Sequence, residues 1–129
     1  MIIKKQGGIK MAKKEYRVNV YDEEENIIGR VRYNNNLDYW DGSNWTCGGL
    51  GKHKGLTKLR DGRYVLIYGS QWQGEKDYGV IISPERALQE ILKSGNVELL
   101  ETKKFAELKE LYNQTMIDEI EEDDVEDDR

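Results

Sequence analysis

The chain has 129 residues, 35% of them charged and 37% hydrophobic, which is enough for one core and excludes a second. Its net charge of −5 is concentrated at the ends, because residues 1 to 14 carry five lysines and no acid, whereas Asp118 to Asp128 holds nine acids in eleven positions. The body between them is close to neutral, so the overall charge does not describe a binding face.

Twelve aromatic residues argue against wholesale disorder, since disordered chains are poor in them. With Cys47 as the single cysteine, no intrachain disulfide can form, and no apolar run reaches the length of a signal core or a membrane span. A cytoplasmic protein with no membrane partner is the expectation. Three parts are expected: a flexible basic N-terminus over 1 to 14, one α+β domain over 15 to 117, and a disordered acidic tail over 118 to 129.

Between Glu15 and Tyr33, Tyr16, Val18 and Val20 alternate with Arg17 and Asn19, and Ile27, Val31 and Tyr33 alternate with Arg30 and Arg32. Period two on both sides of an acidic turn, Asp22 to Asn26, predicts a β-hairpin with one buried face. Asp41-Gly42 and Asp61-Gly62 predict two more hairpins, with type I′ turns that match strand twist. Arg63 to Tyr68 is apolar on both faces and is placed centrally, with Asp77 to Ile82 as its neighbour.

At Ser83-Pro84-Glu85 the pattern changes to that of a helix start: an N-cap hydroxyl, proline in the first turn, and an acid on the dipole. Ala87, Leu88, Ile91 and Leu92 share a face, and Gly95 supplies the stop. Phe105, Leu108, Leu111, Tyr112, Met116 and Ile120 then repeat every three or four residues and predict a second amphipathic helix. The fold class expected is α+β, a meander of six or seven antiparallel strands followed by two helices on one sheet face.

Cys47-Gly48-Gly49-Leu50-Gly51-Lys52-His53-Lys54-Gly55 reads as a glycine-rich loop and invites a test for phosphate binding. A P-loop requires glycine where Thr46 stands and a hydroxyl where His53 stands, and the dinucleotide fingerprint requires glycine where Lys54 stands. Both fail, leaving a looser nest of backbone amides or a plain connection. Cys47 and His53 are alone of their types, so a metal would need Asp38 or Asp41 as well, and structural zinc takes mostly cysteine and histidine. A Cys47 nucleophile activated by His53 lacks a recognisable third group or oxyanion stabiliser. No catalytic residue, metal or cofactor is assigned.

Lys52, Lys54, Lys58, Arg60 and Arg63 form a basic run in which Asp61 is the only acid. Aromatic residues flank it. The candidate binding residues are Tyr39, Trp40, Trp45, Lys52, His53, Lys54, Arg60, Arg63 and Trp72. Tryptophan, tyrosine and arginine concentrate binding energy at protein interfaces. The same residues could stack bases and track phosphates, which makes single-stranded nucleic acid the alternative partner.

Thr57-Lys58-Leu59, Asp61-Gly62-Arg63-Tyr64-Val65-Leu66 and Ser70-Gln71-Trp72-Gln73-Gly74-Glu75, with Ile82-Ser83 and Ala87, resemble a pattern in small uncharacterised proteins of bacteria and their mobile elements. The resemblance covers about residues 57 to 92 and brings no activity with it. It implies a hairpin that hands the chain to a helix, and a phage or plasmid origin. Together these observations lead to the expectation of a non-enzymatic interaction module binding an unidentified protein, as an inhibitor or regulator.

Overall fold

The computed structural model describes residues 16 to 120; the basic N-terminus and most of the acidic run lie outside the described residues. The strands are β1 (Arg17–Tyr21), β2 (Ile27–Arg32), β3 (Tyr39–Trp40), β4 (Trp45–Thr46), β5 (Lys52–Lys58), β6 (Tyr64–Ser70) and β7 (Tyr78–Ile82). Two helices follow, α1 (Pro84–Ser94) and α2 (Ala106–Thr115), with a 3₁₀ turn, Val97–Glu101, between them. The fold is α+β: a five-stranded mixed sheet ordered β2-β1-β7-β6-β5, a separate β3-β4 pair, and two C-terminal helices.

All neighbours in the large sheet are antiparallel except β1 and β7, which meet in parallel at Val20↔Gly79 and Tyr21↔Val80. That exception follows from strand count. In a meander of five strands the first and last point the same way, so when the sheet curls until they touch, the closing pair must be parallel. Opposite the closure, the edges β2 and β5 also approach. Leu56 N–H donates to Asn36 Oδ1 at 2.8 Å, and Asn36 Nδ2 and Asn34 Nδ2 both donate to the Leu56 carbonyl. Leu37 N–H donates to the Lys54 carbonyl at 3.1 Å. The segment after β2 thus stands in for a strand ladder.

Curling gives two cores. Val18, Val20, Val31, Val65 and Ile67 fill the concave side, and Leu56, Tyr64 and Leu66 pack on the convex side against Ala87, Leu88 and Ile91 of α1 and Leu108 of α2. β6 contributes alternately to both, which is why its sequence is apolar on both faces. It is interior, between β7 and β5, while β7 holds the middle of the sheet. Gly55 allows the curl, because a Cβ there would overlap the carbonyl of Asn34.

Local signals account for most boundaries. Ser83 Oγ accepts from Arg86 N–H at 3.0 Å and Pro84 opens α1, and Gly95 ends it by donating to the carbonyls of Ile91 and Leu92. The turns are less regular than expected. At the β5-β6 hairpin Gly62 has φ +97° and Asp61 is not in the left-handed region. With Leu59 N–H bonded to the Arg63 carbonyl and Gly62 N–H to that of Leu59, this is a three-residue loop closed by glycine, not a type I′ turn. In the first hairpin a bulge between Val20 and Tyr21 pairs Tyr21 with Ile27. The extra residue shifts the pattern, so Ile28 packs on the core and Ile27 is exposed. α2 stops at Thr115, and Ile120, expected on its apolar face, is exposed.

Candidate functional site

The candidate binding residues between Tyr39 and Trp72 do not form one patch. Lys52, His53 and Lys54, expected in a loop, lie on β5. Strand alternation then decides their surroundings. Lys54 faces the helices, with Nζ at 3.2 Å from Glu90 of α1 and 5.7 Å from the Tyr68 ring centroid. Lys58 lies 3.3 Å from Glu107 and 5.4 Å from the Tyr64 ring centroid. Lys52 meets Glu75 at 2.7 Å. Every lysine of the row is matched by an acid that the local sequence does not show.

His53 is held by the buried Asp38, whose Oδ2 contacts Nδ1 while Oδ1 accepts from the Lys54 backbone N–H at 3.0 Å. Asn96 Nδ2 donates to the carbonyls of Asn36 and Asp38, so this network ties the segment before β3 to β5 and to the region after α1. Glu90 is buried and accepts from both Lys54 and Arg86. Burial alone would raise its pKa, but the hydrogen bonds from Arg86 and Lys54 outweigh that and hold the carboxylate below its usual range.

Cys47 and His53 share the wall of a cavity of about 420 Å³ with Lys52, Tyr68, Glu75 and Tyr78. Burial pushes the Cys47 thiol up, with the nearby Lys54 charge only partly opposing it, so thiolate is disfavoured at neutral pH. Asp41 is spent on its own turn, accepting from Ser43 and Asn44 N–H. Among the described residues no three His, Cys, Asp or Glu side chains gather where a metal ion could be held.

The aromatics are presented differently. Trp40 and Trp45 face each other across the β3-β4 pair with ring centroids 5.6 Å apart, edge to face, and are 54% and 56% exposed. The root of this hairpin is fixed: Leu37, Asp38 and Thr46 are buried, Thr46 Oγ1 accepts from Gly49 N–H, and Tyr39 Oη lies against Gly48. Its tip therefore holds two exposed indoles on a rigid base. Trp72 is half-exposed on a second ledge, where its Nε1 donates to the Leu50 carbonyl at 3.0 Å and Gln71 N–H donates to that of Gly51 at 2.8 Å.

Arg60 and Arg63 lie at the far end of β5 and β6, about 20 Å from Lys52 along a seven-residue strand. Arg63 is paired with Asp61 at 2.8 Å. Arg60 joins a cleft of about 330 Å³ whose walls carry Arg17, Arg30, Arg32, Lys58 and Lys104 as well, and no acid. Of these, only Arg60 belongs to the candidate set read from the sequence; Arg17, Arg30, Arg32, Lys58 and Lys104 lie outside it. For Arg17, Arg30 and Arg32 the signal was the run of arginines on the polar face of the first hairpin.

Comparisons with protein-family models, with curated proteins and with solved structures found no match to this chain. The class defined by fold is a small α+β protein with a curled mixed sheet, a projecting tryptophan hairpin and a basic cleft. Among the described residues no helix is long and apolar enough to cross a membrane.

Proposed function

We propose that the chain is a non-enzymatic, cytoplasmic interaction module that docks a protein partner through the β3-β4 hairpin. The observation that carries this reading is the pair of exposed indoles, Trp40 and Trp45, on a hairpin whose root is buried and hydrogen-bonded. Exposed tryptophan on a preorganised support is the arrangement found at interface hot spots, where little side-chain entropy remains to be lost on binding. The edge-to-face pair also steadies the hairpin, by about 1 kcal/mol, and that contribution alone would be met by indoles folded onto the core. Trp72 and Leu50, 49% and 69% exposed, extend the apolar surface on a neighbouring ledge. The resemblance of residues 57 to 92 to proteins of mobile elements supports the inhibitor or regulator form of this role.

The test is affinity capture from the source cell with the wild-type chain, with Trp40→Ala/Trp45→Ala, and with Trp72→Ala, each first checked by circular dichroism for an unchanged fold. A defined protein retained by the wild type and lost from the hairpin variant is expected. Capture that is identical in all three removes the hairpin from the reading.

A further inference from the structure

The basic cleft is the largest unmatched concentration of charge among the described residues, and no residue of the tryptophan hairpin lines it. Arg17 and Arg32 stand directly opposite one another on β1 and β2, with Arg30 two residues further along β2. Alternation with the buried Val18 and Val31 puts all three on the convex side of the sheet, over the β1-β2 part of it, whereas the helices pack on Leu56, Tyr64 and Leu66 of β5 and β6. Arg60 enters from the β5-β6 turn, and Lys58 and Lys104 from the other wall. Lys104 Nζ is steadied by Thr57 Oγ1 at 3.1 Å. Among the described residues none of Arg17, Arg30, Arg32, Arg60 or Lys104 is in an ion pair; of the six cations only Lys58 is, through Glu107.

Such an arrangement costs folding energy, since like charges placed opposite each other across strands repel. A ligand with several negative charges would relieve it. Four of the six cations are arginine, whose planar fork suits phosphate oxygens in two-point contact and sheds its hydration readily. The cations come from β1, β2, β5, the β5-β6 turn and the segment before α2, so they span more than a single phosphate. The cleft has no exposed aromatic or aliphatic anchor at its centre, which a protein interface would need; Val31 is buried and Leu59 packs on the core. Tyr33 and Asn34 also line the cleft, with the Asn34 amide already bonded to the Leu56 carbonyl.

We infer that this cleft binds the phosphodiester backbone of a single nucleic-acid strand. The cleft is far too small to seat a double helix. Strand recognition here is mainly electrostatic and tolerant of sequence, because the unmatched groups are cations and not a set of base-reading amides. This site is independent of the tryptophan hairpin, and each stands or falls on its own experiment.

The experiment is fluorescence anisotropy of the full chain with a labelled 12-nucleotide DNA or RNA strand across a salt series. Binding is expected to weaken with salt, log K falling by roughly 0.7 per phosphate contact for each unit of log salt. Arg30→Glu/Arg32→Glu should weaken binding at least about tenfold and flatten the salt slope by about 1.4, the share of two contacts. Arg60→Ala/Lys104→Ala, which leaves the strands untouched, should act in the same direction and keeps the test meaningful if the first variant fails to fold. Lys76→Glu/Lys93→Glu makes the same change in net charge outside the cleft and should leave binding within about twofold. No binding at low salt, equal loss in the control, tighter binding of duplex than of single strand, or displacement by poly-glutamate as effective as by unlabelled strand would each overturn the inference.

Discussion

Two rows of cations face the convex side of the same sheet and differ in almost every physical respect. On β5, Lys52, Lys54 and Lys58 are partly buried, and each lies within 3.3 Å of a carboxylate. On β1 and β2, Arg17, Arg30 and Arg32 are exposed and among the described residues have no such partner. The cause is what covers each row: α1 and α2 lay Glu90 and Glu107 over β5, the β6-β7 turn brings Glu75 to Lys52, and neither helix packs on β1 or β2. Lysines matched by an acid belong to the fold, and arginines beyond the reach of such a partner are free for a ligand. A count of positive residues along the chain ranks the two rows the wrong way round.

The geometry that separates the rows depends on the curl of the sheet, so the largest effect is expected from blocking it. In Gly55→Ala the new methyl would meet the backbone carbonyl of Asn34, and a backbone atom cannot rotate away. A loss of about 3 kcal/mol is expected, read as a lower urea midpoint. Because the β2 to β5 approach also forms the cleft, the variant should lose the distinction between the rows. An unchanged midpoint would mean that the edges are not held together as described.

Next in size is Glu90→Gln, which removes the charge that Lys54 and Arg86 share. Lys54 is left partly buried without its counter-ion, at an expected cost of about 2 kcal/mol. The pH dependence has a definite sign. The Glu90 pKa is lowered from 4.5 in the native state, so its contribution is complete above the unfolded value and is lost as pH falls through the lower folded value. Wild type should therefore lose stability relative to Glu90→Gln as urea midpoints are followed downward from pH 6 to pH 3. Parallel curves would show that Glu90 is not a native carboxylate.

Lys58 belongs to both regions, lining the cleft while lying over the Tyr64 ring and beside Glu107. Its Nζ contacts are those of the structural row, so Lys58→Ala should cost about 1 kcal/mol, with a smaller loss of strand binding than Arg30 or Arg32 variants show. The reverse ranking would move Lys58 into the ligand site.

The strand and helix content was legible because it rests on local chemistry: alternation in Tyr16 to Val20, the Ser83-Pro84-Glu85 start and the Gly95 stop all act within a few residues. The parallel β1 to β7 pair was implicit in an odd-numbered meander but needed the curl to be seen. What was not legible was pairing at a distance. Lys54 and Glu90 are 36 residues apart and Lys58 and Glu107 are 49 apart, so nothing near Lys54 or Lys58 warned that those cations were spoken for. Exposure of Trp40 and Trp45 was equally hidden, since two indoles on adjacent strands fit a core or a surface equally well. The arginines of the first hairpin were visible as a polar face, and only the position of the helices showed that the face stays open.

The smallest effect carries the opposite sign from the others and so divides the two regions most sharply. Arg17 and Arg32 are cross-strand neighbours of like charge, and like charges in that position destabilise a sheet. Replacing one by a neutral side chain of similar reach, Arg32→Gln, should raise stability by about 0.5 kcal/mol at low ionic strength. The gain should fade as salt is added, because exposed charges are screened over about 10 Å at 0.1 M. A denaturation series at 10 mM and 200 mM salt reads both. Lys54→Met should lose stability at both salt concentrations, since its partner is buried and poorly screened. A cation whose removal stabilises the fold is held there against the fold's own interest, and the ligand that would repay that cost is the one sought in the anisotropy experiment; if Arg32→Gln instead destabilises the chain, the cleft is a structural element and the argument for its ligand loses its energetic ground.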